Sequence, residues 1–288
     1  MEGKFVFEYI IHSSLFVGFI GVSMILTTTL LFNLPISWIL IFILFLTSFS
    51  IYSINRIVEI EEDAISHTTR ANFVKTHYQH LKIASILAYI TAMLLGFSKN
   101  LATGFFVLIP LIIVILYSVR WVPKKVSLKI SRLKEIFIIK NVIVAFTWAF
   151  GITLLPFIFF NIEIQIFPAL FVFTFIFLKV LINTITFDVR DIKGDKLHKT
   201  KTIPIKLGIK KTKKLLSFIN LLSFLVILIP SIMGFLPSIA YFVSLVCIYT
   251  QLYIYYTGKR DIKFLTDVMA DGEYIIIGLL ALIGAIVT

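Results

Sequence analysis

The chain has 288 residues, of which 59% are hydrophobic, and its mean hydropathy is +1.01. This composition excludes an ordinary soluble domain, because the chain carries many apolar runs close to the length that crosses a bilayer. The net charge of +12 does not indicate a nucleic-acid partner, because the basic residues separate apolar segments and therefore match the anionic inner leaflet of a membrane.

The apolar runs predict nine membrane-spanning helices. These are 8–32, 36–56, 81–97, 101–119, 137–159, 167–187, 214–234, 237–257 and 273–288. Short connections with few charges alternate with four longer basic ones, and the excess of Lys and Arg places the basic connections and the N-terminus in the cytoplasm. The sequence therefore predicts an all-α, multi-pass bundle in the cell membrane, surrounded by membrane lipids and formed as a single domain over residues 1–288.

The sixth predicted helix ends in a run of acidic residues. Asp188, Asp191 and Asp195 are spaced by three and four residues, so they share one helical face. Three negative charges on one face repel one another, so a positive group is expected near them. Lysines such as Lys196 and Lys201, or a divalent metal ion, can be that group. Mg²⁺ is typically held by a few carboxylates together with substrate phosphates. This face is therefore a candidate site for a metal-bound, phosphorylated lipid.

A second acidic cluster follows the second predicted helix. Asn55, Glu59 and Asp63 repeat every four residues and extend that helix into water, and Glu62 is spaced so that it can join them. A lone acidic helix end is more often only a polar boundary. Two such clusters, both on the predicted cytoplasmic side, favour a shared function.

Basic and polar residues lie between the two clusters in the chain. Tyr117 lies at the end of the fourth predicted helix, and Arg120 and Lys134 follow it. Lys140 and Asn141 lie at the start of the fifth. A phosphorylated substrate needs positive charge beyond that of metal ions. Arg120 and Lys134 are the candidates for this role, and Lys140 and Asn141 are placed to reach the same region.

Some features inside the predicted spans need explanations of their own. Lys179 lies within the sixth helix, where a buried cation needs a partner or must reach the interface. The spans otherwise contain essentially no acidic residues. Gly96, Gly151 and Gly278 are expected to allow close packing of helices.

Together these residues resemble the UbiA superfamily of intramembrane prenyltransferases, with a similar helix count over nearly the whole chain. The family's second motif, R-D-I-x-x-D, is kept from Arg190 to Asp195. Its first motif, N-D-x-x-D-x-x-x-D, is altered, because Arg56 stands where the family usually has Asp and Glu59 replaces the next Asp. Glu can still bind Mg²⁺, whereas Arg56 is expected to bind phosphate instead.

The resemblance implies that a prenyl diphosphate binds between the two motifs, in a cavity open to the cytoplasmic side. Mg²⁺ would help the diphosphate leave, and an aromatic or lipid-alcohol acceptor would capture the prenyl group. The implied metal ligands are Asn55, Glu59, Asp63, Asp191 and Asp195. Asp188 is implied as a further ligand or as the group that orients or deprotonates the acceptor. The implied diphosphate ligands are Arg56, Arg70, Tyr117, Arg120, Lys134, Lys196 and Lys201.

Two other functions stay open from the sequence. A related membrane protein that cyclises a prenyl diphosphate would need no acceptor. A non-catalytic lipid-binding or transport protein is also compatible with the altered first motif. The sequence leaves the acceptor, the prenyl chain length and the oligomeric state open.

Overall fold

The structure is a computed structural model, and it describes residues 9–66, 68–118, 136–197, 200–258 and 262–288. All the regular elements in these ranges are helices. This confirms the all-α prediction. It also fits the apolar composition, because a helix satisfies its backbone hydrogen bonds internally where no water is present.

Seven helices of the described ranges are long and apolar enough to cross a membrane. They are Trp38–Val58, Tyr78–Lys99, Ile139–Phe160, Ile166–Leu197, Ile203–Ile232, Ile239–Tyr256 and Leu265–Val287. Two shorter apolar helices, Leu15–Leu31 and Leu101–Tyr117, coincide with the first and fourth predicted spans. Several helices thus have the length and composition of a multi-pass membrane protein.

The chain divides into two compact units. Unit 1 comprises Met1–Val22 and Trp38–Ile136, and unit 2 comprises Ser23–Ser37 and Phe137–Thr288. The helix α1, Leu15–Leu31, belongs partly to each unit. Unit 1 also holds α2 Trp38–Val58, α3 Ile60–Ser66, α4 Thr68–Thr76, α5 Tyr78–Lys99 and α6 Leu101–Ser118. The other helices of unit 2 are α7 Ile139–Phe160, α8 Ile166–Leu197, α9 Ile203–Ile232, α10 Ile239–Ser244, α11 Val246–Tyr256, α12 Ile262–Phe264 and α13 Asp271–Val287, with a π-helical turn at Leu265–Ala270 between α12 and α13.

In unit 1, α5 packs closely against α6. A Cβ atom added to Gly96 would lie 3.2 Å from the Cα atom of Gly104, so the two backbones approach closely at this point. The Tyr89 hydroxyl on α5 donates a hydrogen bond of 2.7 Å to the backbone carbonyl of Val107 on α6. The expectation that Gly96 allows close packing is confirmed.

Unit 2 has an apolar core built from α8, α9, α11 and the π-helical turn. Its buried members include Ile182, Ile185, Leu216, Tyr253 and Leu265. This core fixes α8, the helix that carries the second acidic motif, against the C-terminal part of the chain.

Two further glycines of unit 2 behave differently from each other. A Cβ atom on Gly278 would meet the Cβ atom of Ser23 at 2.9 Å, so Gly278 allows close packing as expected. The same expectation is wrong for Gly151, because nothing lies within 4 Å of a Cβ atom built there.

Candidate functional site

Helix α8 carries the second acidic motif as one continuous helix. It runs for 32 residues, from Ile166 to Leu197, and therefore extends about ten residues beyond the predicted span end at 187. Because α8 is unbroken, Asp188, Asp191 and Asp195 keep the spacing of three and four residues that places them on one face.

Asp188 is held by the first turn of α7. Its Oδ1 atom lies 2.7 Å from the Nζ atom of Lys140, and its Oδ2 atom accepts a hydrogen bond of 3.0 Å from the Nδ2 atom of Asn141. Asp188 and Asn141 are buried. Lys140 also lies 3.9 Å from Oδ2 of Asp195. The structure thus brings Lys140 and Asn141 to the second motif, while their reach to a diphosphate stays a prediction.

Asp191 is bound by its own neighbour in the chain. The guanidinium of Arg190 donates from Nε to Oδ1 of Asp191 at 2.9 Å and from Nη2 to Oδ2 at 3.1 Å. A third donor of Arg190, Nη1, reaches Oδ1 of Asp267 at 2.7 Å. The guanidinium also lies 4.3 Å from the centre of the Phe187 ring, so it is fixed in both plane and direction.

The C-terminal part of the chain pairs with α8 at two more points. The Nδ2 atom of Asn183 donates to Oδ1 of Asp271 at 3.1 Å. Further along, Nζ of Lys179 lies 2.9 Å from Oε1 of Glu273, and both side chains are fully buried. With Arg190 and Asp267, these pairs form an antiparallel ladder between α8 and the segment that contains the π-helical turn and α13.

The buried pair of Lys179 and Glu273 is completely hydrogen-bonded. Lys179 donates to Oδ1 of Asn220 at 3.1 Å and to Oγ1 of Thr250. Glu273 accepts from the hydroxyls of Thr250 and Tyr253. Glu273 lies in the candidate span Leu265–Val287 and is the first residue of the predicted span 273–288. No partner for Lys179 was predicted from the sequence, and the structure identifies Glu273 as that partner.

The first acidic motif lies at the end of α2 in unit 1. The helix is interrupted at Glu59, but the amide of Glu59 still bonds to the carbonyl of Asn55, and the amide of Asp63 to that of Glu59. The Nδ2 atom of Asn55 donates to Oε2 of Glu59 at 3.4 Å. Arg70 on α4 binds Asp63 with two hydrogen bonds, of 3.0 Å and 2.6 Å.

Arg56, the departure from the family motif, contacts the backbone of the same unit. Its Nη1 atom donates to the carbonyls of Ile11 and His12, each at 2.8 Å. These bonds tie the end of α2 to the residues that precede α1. The phosphate-binding role of Arg56 stays a prediction, and its hydrogen bonds support a structural role beside it.

The remaining predicted ligands fall into two groups. Tyr117 is partly exposed near the end of α6, whereas Lys196 and Lys201 are exposed at and just after the end of α8. Arg120, Lys134 and the side chain of Glu62 lie outside the described residues.

Comparison with known proteins decides the family. The model of the UbiA prenyltransferase family matches residues 14–266. This chain belongs to the UbiA prenyltransferase family. No curated protein sequence matches it.

Several solved structures share the UbiA fold with this chain. A digeranylgeranylglyceryl phosphate synthase is 18% identical, with 98% of this chain and 99% of that chain covered and a TM-score of 0.62. A UbiA homolog from Archaeoglobus fulgidus, bound to GPP and Mg²⁺, is 15% identical, with 96% and 99% covered and a TM-score of 0.67. A UbiA homolog from Aeropyrum pernix K1 in its apo form is 12% identical, with 96% and 97% covered and a TM-score of 0.65.

No three His, Cys, Asp or Glu side chains cluster as a ready-made metal site among the described residues. Mg²⁺, however, prefers oxygen ligands and commonly combines one or two carboxylates with substrate phosphates. The end of α8 supplies carboxylate oxygens, because Lys140 lies beside both Asp188 and Asp195, and Arg190 lies between Asp191 and Asp267. The residues present therefore fit a cation shared with a phosphorylated substrate.

Sequence reasoning missed Asp267 and Asp271. They lie 77 and 88 positions along the chain from their partners on α8, and no local pattern links residues that far apart. The two aspartates are spaced by four residues, as in the first acidic motif, and lie directly before a predicted span. This spacing is the sequence pattern that could have identified them.

Proposed function

We propose that this chain is a Mg²⁺-dependent prenyltransferase that moves a prenyl or polyprenyl group from an allylic diphosphate to an acceptor at the cytoplasmic membrane face. The acceptor is an aromatic ring or a lipid-type alcohol, and diphosphate is released. Membership of the UbiA prenyltransferase family supports the reaction class. Two solved structures of a UbiA homolog from Archaeoglobus fulgidus, bound to Mg²⁺ with GPP in one and DMAPP in the other, support the donor and the metal.

The observation that carries the proposal is the arrangement of charges on α8. Three aspartates share one face at the end of an apolar helix, and Lys140 and Arg190 lie among them. Carboxylates that can bind a divalent cation, beside basic groups that can bind phosphate, favour a metal ion together with an anionic substrate.

In this proposal each residue has a defined task. Asp191 and Asp195 would hold one Mg²⁺, and Asn55, Glu59 and Asp63 would hold another. The metal ions would neutralise the diphosphate and so lower the cost of its departure. The proposed ligands of the diphosphate oxygens are Arg56, Arg70, Tyr117, Arg120, Lys134, Lys196 and Lys201. Apolar helices around the prenyl chain keep water from quenching an allylic cation.

Asp188 has a role distinct from those of its neighbours on α8. Both of its carboxylate oxygens are engaged by Lys140 and Asn141. This arrangement supports the orienting role for Asp188 over that of an additional metal ligand. Lys140 then remains close to Asp195, where it assists in placing the substrate.

The proposal includes the topology. The nine apolar helices cross the membrane, the chain forms one functional domain over residues 1–288, and the N-terminus and basic connections face the cytoplasm. The distribution of Lys and Arg between the two kinds of connection supports this orientation.

The proposal is tested with purified protein and two single variants, Asp191→Ala and Asp195→Ala. We expect each to lower Mg²⁺-dependent release of diphosphate by about 100-fold or more, because charge stabilisation of the leaving group is lost. Glu163→Ala, a change of an exposed carboxylate in the connection between α7 and α8, is the matched control. Release of diphosphate at the wild-type rate by either variant would contradict the proposal.

One observation favours a second candidate, a non-catalytic lipid-binding or transport protein. Glu273 and Lys179 are charged groups buried among apolar helices, and such groups also mark transport pathways. The same assay separates the candidates, since a transport protein releases no diphosphate with any acceptor. A cyclase would release it without an acceptor and form a hydrocarbon.

A further inference from the structure

We propose that Asp267, which belongs to neither acidic motif, is a positioning residue for the Mg²⁺ ligand Asp191 and acts on it through Arg190. This inference rests on the proposed function, because it takes Asp191 to be a metal ligand. Asp267 lies in the π-helical turn Leu265–Ala270.

The geometry gives Arg190 two carboxylate partners on different elements. Its Nε and Nη2 atoms bind the two oxygens of Asp191, while Nη1 binds Oδ1 of Asp267 at 2.7 Å. The Arg190 side chain is only 7% exposed, and its guanidinium rests on the ring of Phe187. A guanidinium held on three sides cannot turn, so it fixes the plane of the Asp191 carboxylate.

Charge gives Asp267 a second effect on Asp191. Arg190 and Asp191 alone would form a neutral pair, and Arg190 would compete with a metal ion for the carboxylate oxygens. With Asp267, the three groups carry one net negative charge. Asp267 therefore draws part of the attraction of Arg190 to itself and leaves Asp191 more attractive to a cation.

Asp267 is itself held in place. The Thr266 hydroxyl lies 3.1 Å from Oδ1 of Asp267, the same oxygen that accepts from Arg190. A π-helical turn is rare and often occurs at functional sites. Asp271, which follows the turn directly and lies four residues after Asp267, binds Asn183 of the same helix α8. The turn is thus fixed against α8 at two points.

The contrast with Glu273 separates positioning from plain stabilisation. Lys179 and Glu273 are fully buried and form a neutral pair. Among the described residues, the hydrogen bonds of this pair run to Asn220, Thr250 and Tyr253 and not to a motif aspartate. Of the ladder pairs, Arg190 with Asp267 is the one that touches a proposed metal ligand.

The test measures metal binding directly and does not depend on turnover. Mn²⁺ is titrated into the full-length protein in detergent with geranyl diphosphate present, and free Mn²⁺ is followed by electron paramagnetic resonance. We expect Asp267→Asn to raise the dissociation constant for Mn²⁺ about 10-fold, as loss of groups that orient metal ligands typically does. Asp267→Glu should restore most of the affinity, and Glu163→Gln, which removes an exposed charge elsewhere, should bind like the wild type.

Four results would contradict the proposal. If Asp267→Asn binds Mn²⁺ as the wild type does, or if Asp267→Glu is as weak as Asp267→Asn, the positioning role is wrong. A loss of thermal stability with unchanged Mn²⁺ affinity would likewise leave Asp267 only a structural role. If instead Asp191→Asn leaves Mn²⁺ binding intact, Asp191 is not a ligand, and the proposed metal site fails together with the role of Asp267.

Discussion

Asp188 is the most deeply buried carboxylate of the second acidic motif, and its environment explains why it differs from Asp191 and Asp195. An unpaired carboxylate in an apolar environment is costly, so a buried one needs a cation and hydrogen-bond donors. Lys140 and Asn141 supply both. The sequence pointed to these two residues from their position at the start of a helix, but the distances that assign them to Asp188 depend on how α7 packs against α8.

The buried pair of Lys179 and Glu273 makes a prediction about stability. Lys179→Met leaves the carboxylate of Glu273 without its cation, and we expect the free energy of unfolding to fall by about 3 kcal/mol. The double variant Lys179→Met with Glu273→Met should recover much of this loss, because no buried charge is then left alone. Thermal unfolding in detergent provides the measurement.

The same variants test whether the pair is coupled at all. With Glu273→Met as the second single variant, a double variant that loses as much stability as the two single variants combined would show that Lys179 and Glu273 act independently. That result would contradict the ion pair.

Helix α9 contains a kink at Gly208, where the backbone conformation requires glycine. Gly208 has φ of +73° and ψ of 159° within Ile203–Ile232, a region that is almost restricted to glycine. We expect Gly208→Ala to destabilise the protein by about 1–3 kcal/mol, measured as a lower midpoint of thermal unfolding. Gly151→Ala in α7 is the matched control, because a Cβ atom there meets nothing within 4 Å and alanine favours a helix.

A Gly208→Ala variant as stable as the wild type would show that the kink is not required. An equal loss of stability in both variants would show that any added methyl group destabilises these helices. The backbone conformation of Gly208 would then not explain the effect.

The acidic motifs show which features of an element can be predicted from sequence. The spacing of Asp188, Asp191 and Asp195 is a local property of the sequence. Because the segment is helical, this spacing places the three side chains on one face. The membrane span of α8 was predicted to end at 187, where the apolar run stops, and the helix itself continues to Leu197. Hydropathy marks the part of a helix suited to lipid, whereas polar residues can extend the same helix into water.

For the whole molecule, the sequence predicted the class correctly because it depends on composition and length. Both the apolar helices and the resemblance to the family could be predicted, because each depends on the order of residues along the chain. The pairs that surround the candidate site join residues such as Arg190 and Asp267, far apart in the chain. They form only when the helices pack, so the sequence pattern alone did not reveal them.

The proposed orientation predicts which connections can be labelled from outside the cell. Single cysteines are introduced as Glu163→Cys and Lys201→Cys in a Cys247→Ser background. Glu163 lies in a short connection and Lys201 in a basic one, and both residues are exposed. A membrane-impermeant maleimide should label position 163 on intact cells and position 201 only after permeabilisation. The opposite pattern would place the basic connections outside and overturn the orientation.

The central claim is that the carboxylates at the end of α8 bind a divalent cation together with a prenyl diphosphate. Its most direct test is crystallography of the protein in a lipidic phase with Mn²⁺ and a non-reactive prenyl diphosphate analogue. We predict an anomalous Mn²⁺ peak in contact with the carboxylates of Asp191 and Asp195, with the analogue's phosphates bound to the same ion. Ordered analogue and Mn²⁺ located away from both aspartates would contradict the account.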